Sequence, residues 1–452
     1  MISDKLKRIA VNICRLVLAV TFILSGFVKA VDPLGTQYKI EDYLEAMHLG
    51  GVLPEMVVLA LSVGQSALEF CLGIFMLFAI RRRLSSKLVL LVMLLMTPIT
   101  LWLAMTNPIS DCGCFGDAVV LTNWQTFWKN VALLLMAVVV TWRPLEQFRF
   151  VSRSNQWIVI NYSVLFILAV SLWSLYDLPQ LDFRPYHVGA NIREGMAMPE
   201  GAEQPQFETT FILEKNGERR EFTLDDYPDS TWVFIDSRTV QTKEGYVPPI
   251  HDFSMTLLQE DGDDMEELDI TDEVLSDSSY TFLLVSYSLE RADDARFDLI
   301  NELYEYSLEH DYGFYCLTAS GDAGRRQWRD KTGAEYPFCL TDPITLKTII
   351  RSNPGLVLLK DGTVTGKWSH NNLPQIAEEE WQRPLHQMAL GQESDDTVPQ
   401  KVIRLMLWFV LPLALLTIAD RTWMWTQWLR KKKTPTTPTK PTPPTEPTKP
   451  TK

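Results

Sequence analysis

Asp111-Cys112-Gly113-Cys114-Phe115-Gly116 places two thiols one residue apart, separated by a glycine that leaves room for sulfur to approach sulfur. Such a pair can close a small-ring disulfide and reopen it, or present two thiolates to a soft metal ion. Cys112 and Cys114 therefore have three uses open to them: a redox couple, a static structural crosslink, or Cu(I) ligation. Metal ligation is weakened because the loop around the pair has no Met or His, and only His48, from the stretch between the first two apolar runs, could approach. No metal site is assigned. Lys129 lies about one turn into the apolar run that follows, where its ammonium would favour a thiolate.

The scaffold for these thiols is read from hydropathy. Apolar runs of spanning length occur at about 9–30, 53–80, 86–106, 126–142, 157–176 and 402–423, which predicts about six membrane helices. Lys5, Lys7 and Arg8 precede the first run, and Arg81, Arg82, Arg83 and Lys87 join the second to the third. Arg143, Arg149 and Arg153 join the fourth to the fifth, and Arg430 with Lys431 to Lys433 follows the sixth. If every run crosses, all four clusters fall on one side, and the positive-inside rule makes that side cytoplasmic. Both termini are then cytoplasmic. The 31–52 loop, the Cys112 loop and residues 178–400 fall outside. Trp102, Trp124, Trp128, Trp142, Trp157 and Trp173 cluster near helix ends as interfacial anchors do. The first run lacks a small-residue cleavage site and continues to Lys29 and Asp32, so it reads as a retained helix.

A mean hydropathy near zero hides a partition of these 452 residues. The outer stretch is polar and acidic, with roughly two acids per base, and it outweighs the basic flanks to give a net charge of −14. That balance disfavours nucleic-acid binding. Within it, strand-like runs at Gln206–Leu213, Glu221–Leu224 and Thr231–Ile235, with Asn216-Gly217 as a hairpin turn, predict a β-rich extension. Further on come a strand at Thr281–Ser286, a helix near Asp294–His310, a strand at Phe314–Leu317 and a helix at Gly321–Thr332. Ile344–Arg351 then reads as helix, and Leu356–Leu359 with Val364–Trp368 as a β pair turning at Asp361-Gly362. Thr434–Lys452, rich in Thr, Pro and Lys, reads as a disordered cytoplasmic tail.

Charges inside the spans need partners. Glu69 near the middle of the second run and Arg15 at similar depth in the first are expected to pair, either to set helix register or to contact a proton or a quinone. Lys29 beside Asp32 reads mainly as a snorkelling interfacial anchor. Cys14 and Cys71 read as packing residues, Pro98 as a kink in the third helix, and Met93, Met96 and Met105 as lipid-facing or core filler. Cys316 reads as a buried thiol in a core strand, with a bridge to Cys339 as the alternative.

Two resemblances organise these readings. Ser352-Asn353-Pro354-Gly355 before a strand and Lys360-Asp361-Gly362 in the next turn resemble the cis-proline strand and hairpin of TlpA-type thioredoxin-like proteins, over about 250–395. The family's Cys-x-x-Cys should follow the strand ending at Ser286, and the chain there reads Ser286-Tyr287-Ser288-Leu289-Glu290. Without the nucleophile that module cannot run dithiol exchange, so a binding or docking role is expected of it. Upstream, Arg15 with Phe22, Ser25-Gly26-Phe27, Lys29 and Asp32-Pro33 resemble the first helix and exit of the DoxX and MauE-like group. Asp42-Tyr43-Leu44, Glu69 with Leu72-Gly73, Asn107-Pro108, Asp111 to Gly116, Thr126-Phe127 and Lys129-Asn130 extend that likeness across about 5–142.

The fold class expected from both is an α-helical membrane protein with a four-helix DoxX/MauE-like bundle at 1–145. Two further spans, at 154–177 and 400–426, flank an external α/β thioredoxin-like domain at 246–398, preceded by the β-rich extension at 178–245 and followed by the tail at 430–452. The resemblance implies a redox component of a bacterial inner membrane, with residues 178–400 periplasmic. In that role Cys112, Cys114 and Lys129 carry the chemistry. They would pass electrons between an extracytoplasmic thiol protein and a membrane quinone contacted by Arg15, Glu69 and Lys29. Partner thiols would come from another protein or from Cys339. The alternative is a non-catalytic membrane anchor or assembly scaffold whose degenerate thioredoxin-like domain holds a partner.

Overall fold

The computed structural model describes residues 2–109, 111–199, 201–202, 206–215, 218–223, 233–243, 245–261, 264–392 and 398–433. The Asn216-Gly217 turn, parts of the two strands expected at 221–224 and 231–235, and the Thr434–Lys452 tail lie outside the described residues. Among those described, six helices are long and apolar enough to cross a membrane, and the chain is a multi-pass membrane protein.

The chain opens with α1 (Ile2–Val31), α2 (Pro33–Ala46), α3 (Glu55–Phe78), α4 (Arg82–Thr106), α5 (Asn123–Trp142) and α6 (Gln156–Tyr176). Five of these span, and α2 is the exception. Residues 31–52 were expected to be a loop, but Asp32 caps a helix there by accepting from the Gly35 amide at 2.9 Å, with Pro33 at the first helical position. A short helix of mixed polarity gives no spanning-length signal, which is why hydropathy passes over it. α1 and α3 pack antiparallel at very close range. A Cβ on Gly26 would lie 2.3 Å from the Phe70 nitrogen, and one on Gly73 would lie 2.6 Å from the Ile23 nitrogen. Helix α4 runs through Pro98 without a break, and Met93 on it is buried in the core with Leu18, Phe22 and Leu133. α5 begins with a full capping box, Thr122 and Gln125 each bonding the other's backbone amide.

At the end of the bundle away from the cysteines, Asn12, Arg15 and Arg82 donate to carbonyls of the 145–148 segment and tie the basic loops together. Arg15 is used there. It donates to the Phe148 carbonyl at 2.5 Å and lies over the Phe150 ring, so the expected Arg15–Glu69 pair does not form. The cause is helix register. Gly26 packs against Phe70 and Gly73 against Ile23 on the antiparallel pair, so Glu69 lies level with Phe27, close to Lys29 and more than three turns from Arg15. Lys29, about 21 Å along α1 from Arg15 at 1.5 Å per residue, leans back into the bundle and meets Glu69 instead.

After α6 the chain forms α7 (Ile192–Met196) and an antiparallel sheet in the order β2-β1-β3 from β1 (Gln206–Lys215), β2 (Glu218–Thr223) and β3 (Val233–Lys243). A larger mixed sheet follows, built from β4 (Thr256–Asp261), β5 (Asp264–Asp269), α8 (Thr271–Ser276), β6 (Tyr280–Ser286), α9 (Phe297–Glu309), β7 (Gly313–Thr318), α10 (Asp322–Thr332), β8 (Phe338–Leu340), α11 (Pro343–Ile349), β9 (Gly355–Lys360) and β10 (Thr363–Ser369). Its order is β10-β9-β6-β7-β8-β4-β5. β7 runs parallel to β6 and β8 parallel to β7, while β9 is antiparallel to β6 and β10 to β9. With a cis Asn353–Pro354 bond directly before β9, this is a thioredoxin-like arrangement widened by β8, β4 and β5. Asp361 and Gly362 turn the β9–β10 hairpin, both with positive φ.

Strand alternation divides the core. Leu283, Val285, Leu317 and Val357 face one side with α8 and α11, while Phe282, Leu284, Phe314 and Leu358 face the other with α9 and α10. The same alternation excludes a Cys316–Cys339 bridge. Cys316 pairs with Phe338 across β7 and β8 and Cys339 pairs with Leu317, so the two thiols belong to opposite cores, and both are free and buried. The last span, α12 (Val398–Lys433), returns beside α6, where Tyr162 stacks on Phe409 with centroids 5.7 Å apart. Asp420 anchors it by accepting from Ser152 and Asn155.

The sheet domain docks on the cysteine end of the bundle through Arg351, just ahead of the cis-proline. Its guanidinium bonds Asp32 at 2.9 Å, lies 3.6 Å from Asp117 and sits over the Tyr38 ring. Replacing Gly73 with Ala should force α1 and α3 apart and cost about 1–3 kcal/mol, read as a lower thermal midpoint in detergent. Arg351→Ala should loosen the docked domain while leaving it folded, so hydrogen exchange should rise in α2 and α11 but not in β6 or β7.

Candidate functional site

The cysteine loop connects α4 to α5 and is fixed at its base, where Asn123 donates to Asn107 Oδ1 and to the Ile109 carbonyl, each at 2.8 Å. Gly113 and Gly116 carry positive φ angles of 64° and 51°, and the Gly116 amide donates to the Gly113 carbonyl to close a tight turn. Asp111 accepts from the Gly113 amide at 3.1 Å and from Lys39 Nζ at 2.6 Å, so α2 holds the turn from outside. Tyr43 donates to the Cys112 carbonyl at 2.8 Å, and the Ser25 hydroxyl lies 2.7 Å from the Cys114 carbonyl oxygen. Both flanking carbonyls are thus held from the bundle. The two thiols are free, with Sγ atoms 3.0 Å apart.

The electrostatics of the pair are asymmetric. Cys114 is pushed down to about 6, chiefly by the hydrogen bond it accepts from Cys112, then by the ammonium groups of Lys129 and Lys29, against the opposing effect of burial. Cys112 is pushed well up by giving that bond and by burial. The two sulfurs titrate as a pair, and their surroundings favour the thiolate on Cys114 over that on Cys112. Lys129 approaches as the sequence suggested, and on the way its Nζ lies 4.4 Å from the centre of the Phe115 ring. Burial and the adjacent cysteines push the Tyr43 hydroxyl up, which keeps it a donor.

Beneath the loop, Lys29 Nζ bonds both carboxylate oxygens of Glu69, at 2.8 and 2.9 Å. Gln65 donates to the same carboxylate at 3.1 Å, and Ser25 lies 2.6 Å from it. Lys29 is therefore a buried ion-pair partner and not a snorkelling anchor, because α2 and the cysteine loop cover the end of α1. Of the residues singled out from the sequence, Cys112, Cys114, Lys129, Lys29 and Glu69 come together, and Arg15 does not.

A cavity of about 580 Å³ adjoins the pair. It is lined by Met96, Ile99 and Thr100 of α4, by Cys112, Cys114, Lys29 and Gln65, and by Lys347 and Arg351 of the sheet domain. Where a thioredoxin-like domain would carry its thiols, Ser286 donates to Asn353 Oδ1 at 2.7 Å and Asn353 donates to the Ser288 carbonyl at 2.9 Å. Cys339 is buried in the sheet, so it is no exchange partner for the loop. Sequence reasoning gave no role to Ser25, Lys39, Tyr43 or Gln65. Lys39 and Tyr43 were missed because their helix was read as a loop, whereas Ser25 and Gln65 each lie one helical turn, four residues, from Lys29 and Glu69.

Comparison with known proteins finds likeness in separate stretches of the chain. Residues 7–143 match the family model of the methylamine utilisation protein MauE, and residues 207–244 match a domain of unknown function, DUF8463. No curated protein matches the chain. A solution structure from Bacteroides thetaiotaomicron, described as a candidate protein disulfide isomerase, aligns at 15% identity and a TM-score of 0.22, covering 27% of this chain and 77% of that one. Over residues 7–143 the membrane bundle is thus similar to MauE, and the chain, with six spans, joins it to a sheet domain whose strand order β10-β9-β6-β7 around a cis-proline is thioredoxin-like.

Proposed function

We propose that Cys112 and Cys114 form a redox pair that exchanges electrons between a thiol or disulfide protein and a membrane quinone. The observation that carries this reading is the pair itself: two free thiols 3.0 Å apart that line a cavity, with Lys129 and Lys29 favouring the thiolate of Cys114. A static crosslink needs neither a stabilised thiolate nor a space above it. The partner protein belongs on the loop side. The basic clusters lie at the other end of the bundle, and by the positive-inside rule the loop side is extracytoplasmic, the periplasm if the membrane is a bacterial inner membrane.

Exchange follows from the asymmetry of the two sulfurs. The Cys114 thiolate attacks one sulfur of the partner disulfide, a Cys114–partner bond forms, and the partner's other sulfur leaves as a thiolate. Cys112 then displaces the partner from Cys114, and the same steps in reverse reduce the pair. Gly113 and Gly116 let the chain turn tightly enough to keep both sulfurs together, while Asp111, Lys39 and Tyr43 hold the backbone in place. The sheet domain presents Arg351 and its cis-proline edge over the same cavity, which suits a domain that receives the partner polypeptide without supplying a thiol.

The residues present fit a quinone head group. Lys29 and Gln65 offer N–H donors for a carbonyl oxygen, and Met96 and Ile99 form an apolar wall beside them. A quinone bound there would take up, or as quinol release, two electrons and two protons.

Thiol reactivity tests the pair directly. Alkylation of Cys114 should rise with pH through about 6, since the thiol is protonated and slow below that value and a thiolate above it. Cys112→Ala removes the S–H donor and should move the midpoint up toward the ordinary thiol value of about 8.5; Lys129→Gln should move it the same way by less. In native membranes Cys112→Ser should trap a mixed disulfide on Cys114 with its partner, detected by mass. Thiols that titrate near 8.5 and trap nothing would leave the anchor and scaffold role in place of the redox one.

A further inference from the structure

Ser25 has one hydroxyl proton and two acceptors. Its Oγ lies 2.6 Å from Glu69 Oε2 and 2.7 Å from the Cys114 carbonyl oxygen. With Glu69 ionised, the hydroxyl donates to one of these oxygens and leaves the other without its proton. With Glu69 protonated, both short distances are hydrogen bonds at once: the carboxylic acid donates to Ser25 Oγ, and Ser25 donates to Cys114. The geometry therefore has a place for a proton on Glu69 and connects its arrival to the backbone of the cysteine loop. Lys29 and Gln65, both bonded to Glu69, also line the cavity with the two thiols.

We propose that Glu69, acting through Lys29, accepts the proton of Cys112 in the step that closes the Cys112–Cys114 disulfide, and returns it in the reverse step. This rests on the redox reading of the pair given above. Once Cys114 is joined to a partner sulfur, Cys112 is still a thiol and cannot attack until it loses its proton. The Lys29 ammonium passes one proton to Glu69 and takes the proton of Cys112. The Cys112 sulfur then bonds to Cys114, the Cys114–partner bond breaks, and the partner leaves as a thiolate. Lys29 ends charged, Glu69 ends protonated, and every electron pair is accounted for.

The groups facing Glu69 are Lys29 and Ser25 from α1, Gln65 from α3 and Cys114 from the loop, while Lys29 also faces Cys112 and Lys129 faces Cys114 from α5. A purely structural ion pair would also account for the burial of Lys29 and Glu69, so the test must read proton transfer and not stability. The reduced full-length protein in lipid nanodiscs is mixed with dithiodipyridine. The first thiopyridone released reports attack by Cys114, and the second reports ring closure by Cys112.

Glu69→Gln should slow the second release relative to the first on the order of a hundredfold near neutral pH. The deficit should shrink as pH rises and hydroxide replaces the carboxylate. Glu69→Asp should recover part of the rate. The double variant Lys29→Met with Glu69→Gln leaves no buried charge unpaired, so it keeps the test valid if the single variant does not fold, and it should show the same slow closure. Wild-type closure rates and pH profile in both variants would overturn the role of Glu69 while leaving the redox pair standing. A wild-type protein that gives no second release would overturn the redox pair, and the role of Glu69 with it.

Discussion

The ion pair between Lys29 and Glu69 sets the position of everything around the cysteines. Either charge alone among apolar helices would cost several kcal/mol, so the fold must keep the two in contact. That requirement holds α1 and α3 at one register and one separation, and Gly26 and Gly73 allow the separation to be as small as it is. Ser25, one turn before Lys29, then stands between the carboxylate and the Cys114 carbonyl. The loop height above the bundle follows from that contact, and so does the approach of Lys29 to the sulfurs.

The two halves of the chain divide what a single thioredoxin-like protein holds in one place. The sheet domain keeps the strand order and the cis-proline edge but has Ser286 and Ser288 bonded to Asn353 where thiols would stand. The bundle has the thiols. Arg351, three residues before Pro354, reaches Asp117, three residues after Cys114, so the edge that lacks sulfur meets the loop that has it. The cavity is the space left between them.

Much of this was legible in the sequence, because the signals were long or local. All six spans, and every strand and helix from Thr281 to Trp368 except the three-residue β8, follow from apolar runs, period-2 alternation and the Asp361-Gly362 turn. The β4–β5 hairpin was not foreseen: Gln259 to Asp269 is so acidic that it gives no strand-like apolar pattern. Helix α2 was missed for a similar reason, its signal being an N-cap and a proline, without a hydrophobic face. At the site, Cys112, Cys114 and Lys129 were found from residue type and spacing. The partner of Glu69 was misassigned because depth was judged by counting residues along each helix separately; the register between α1 and α3, set where Gly26 meets Phe70 and Gly73 meets Ile23, puts Glu69 level with Phe27 and so beside Lys29. Arg351 and Asp32, far apart in sequence and each unremarkable in its own segment, could be joined only by the docked fold.

The placement of Cys316 and Cys339 on opposite faces of one sheet has a consequence for how the protein responds to its surroundings. Neither sulfur can reach the other, and both are sealed in packed apolar cores. The thioredoxin-like domain thus has no internal crosslink to make, lose or mispair. Once folded, this part keeps its shape whatever the ambient redox poise, because its two thiols can react neither with one another nor with a reagent in solvent. The cysteine loop thus faces a surface that stays constant.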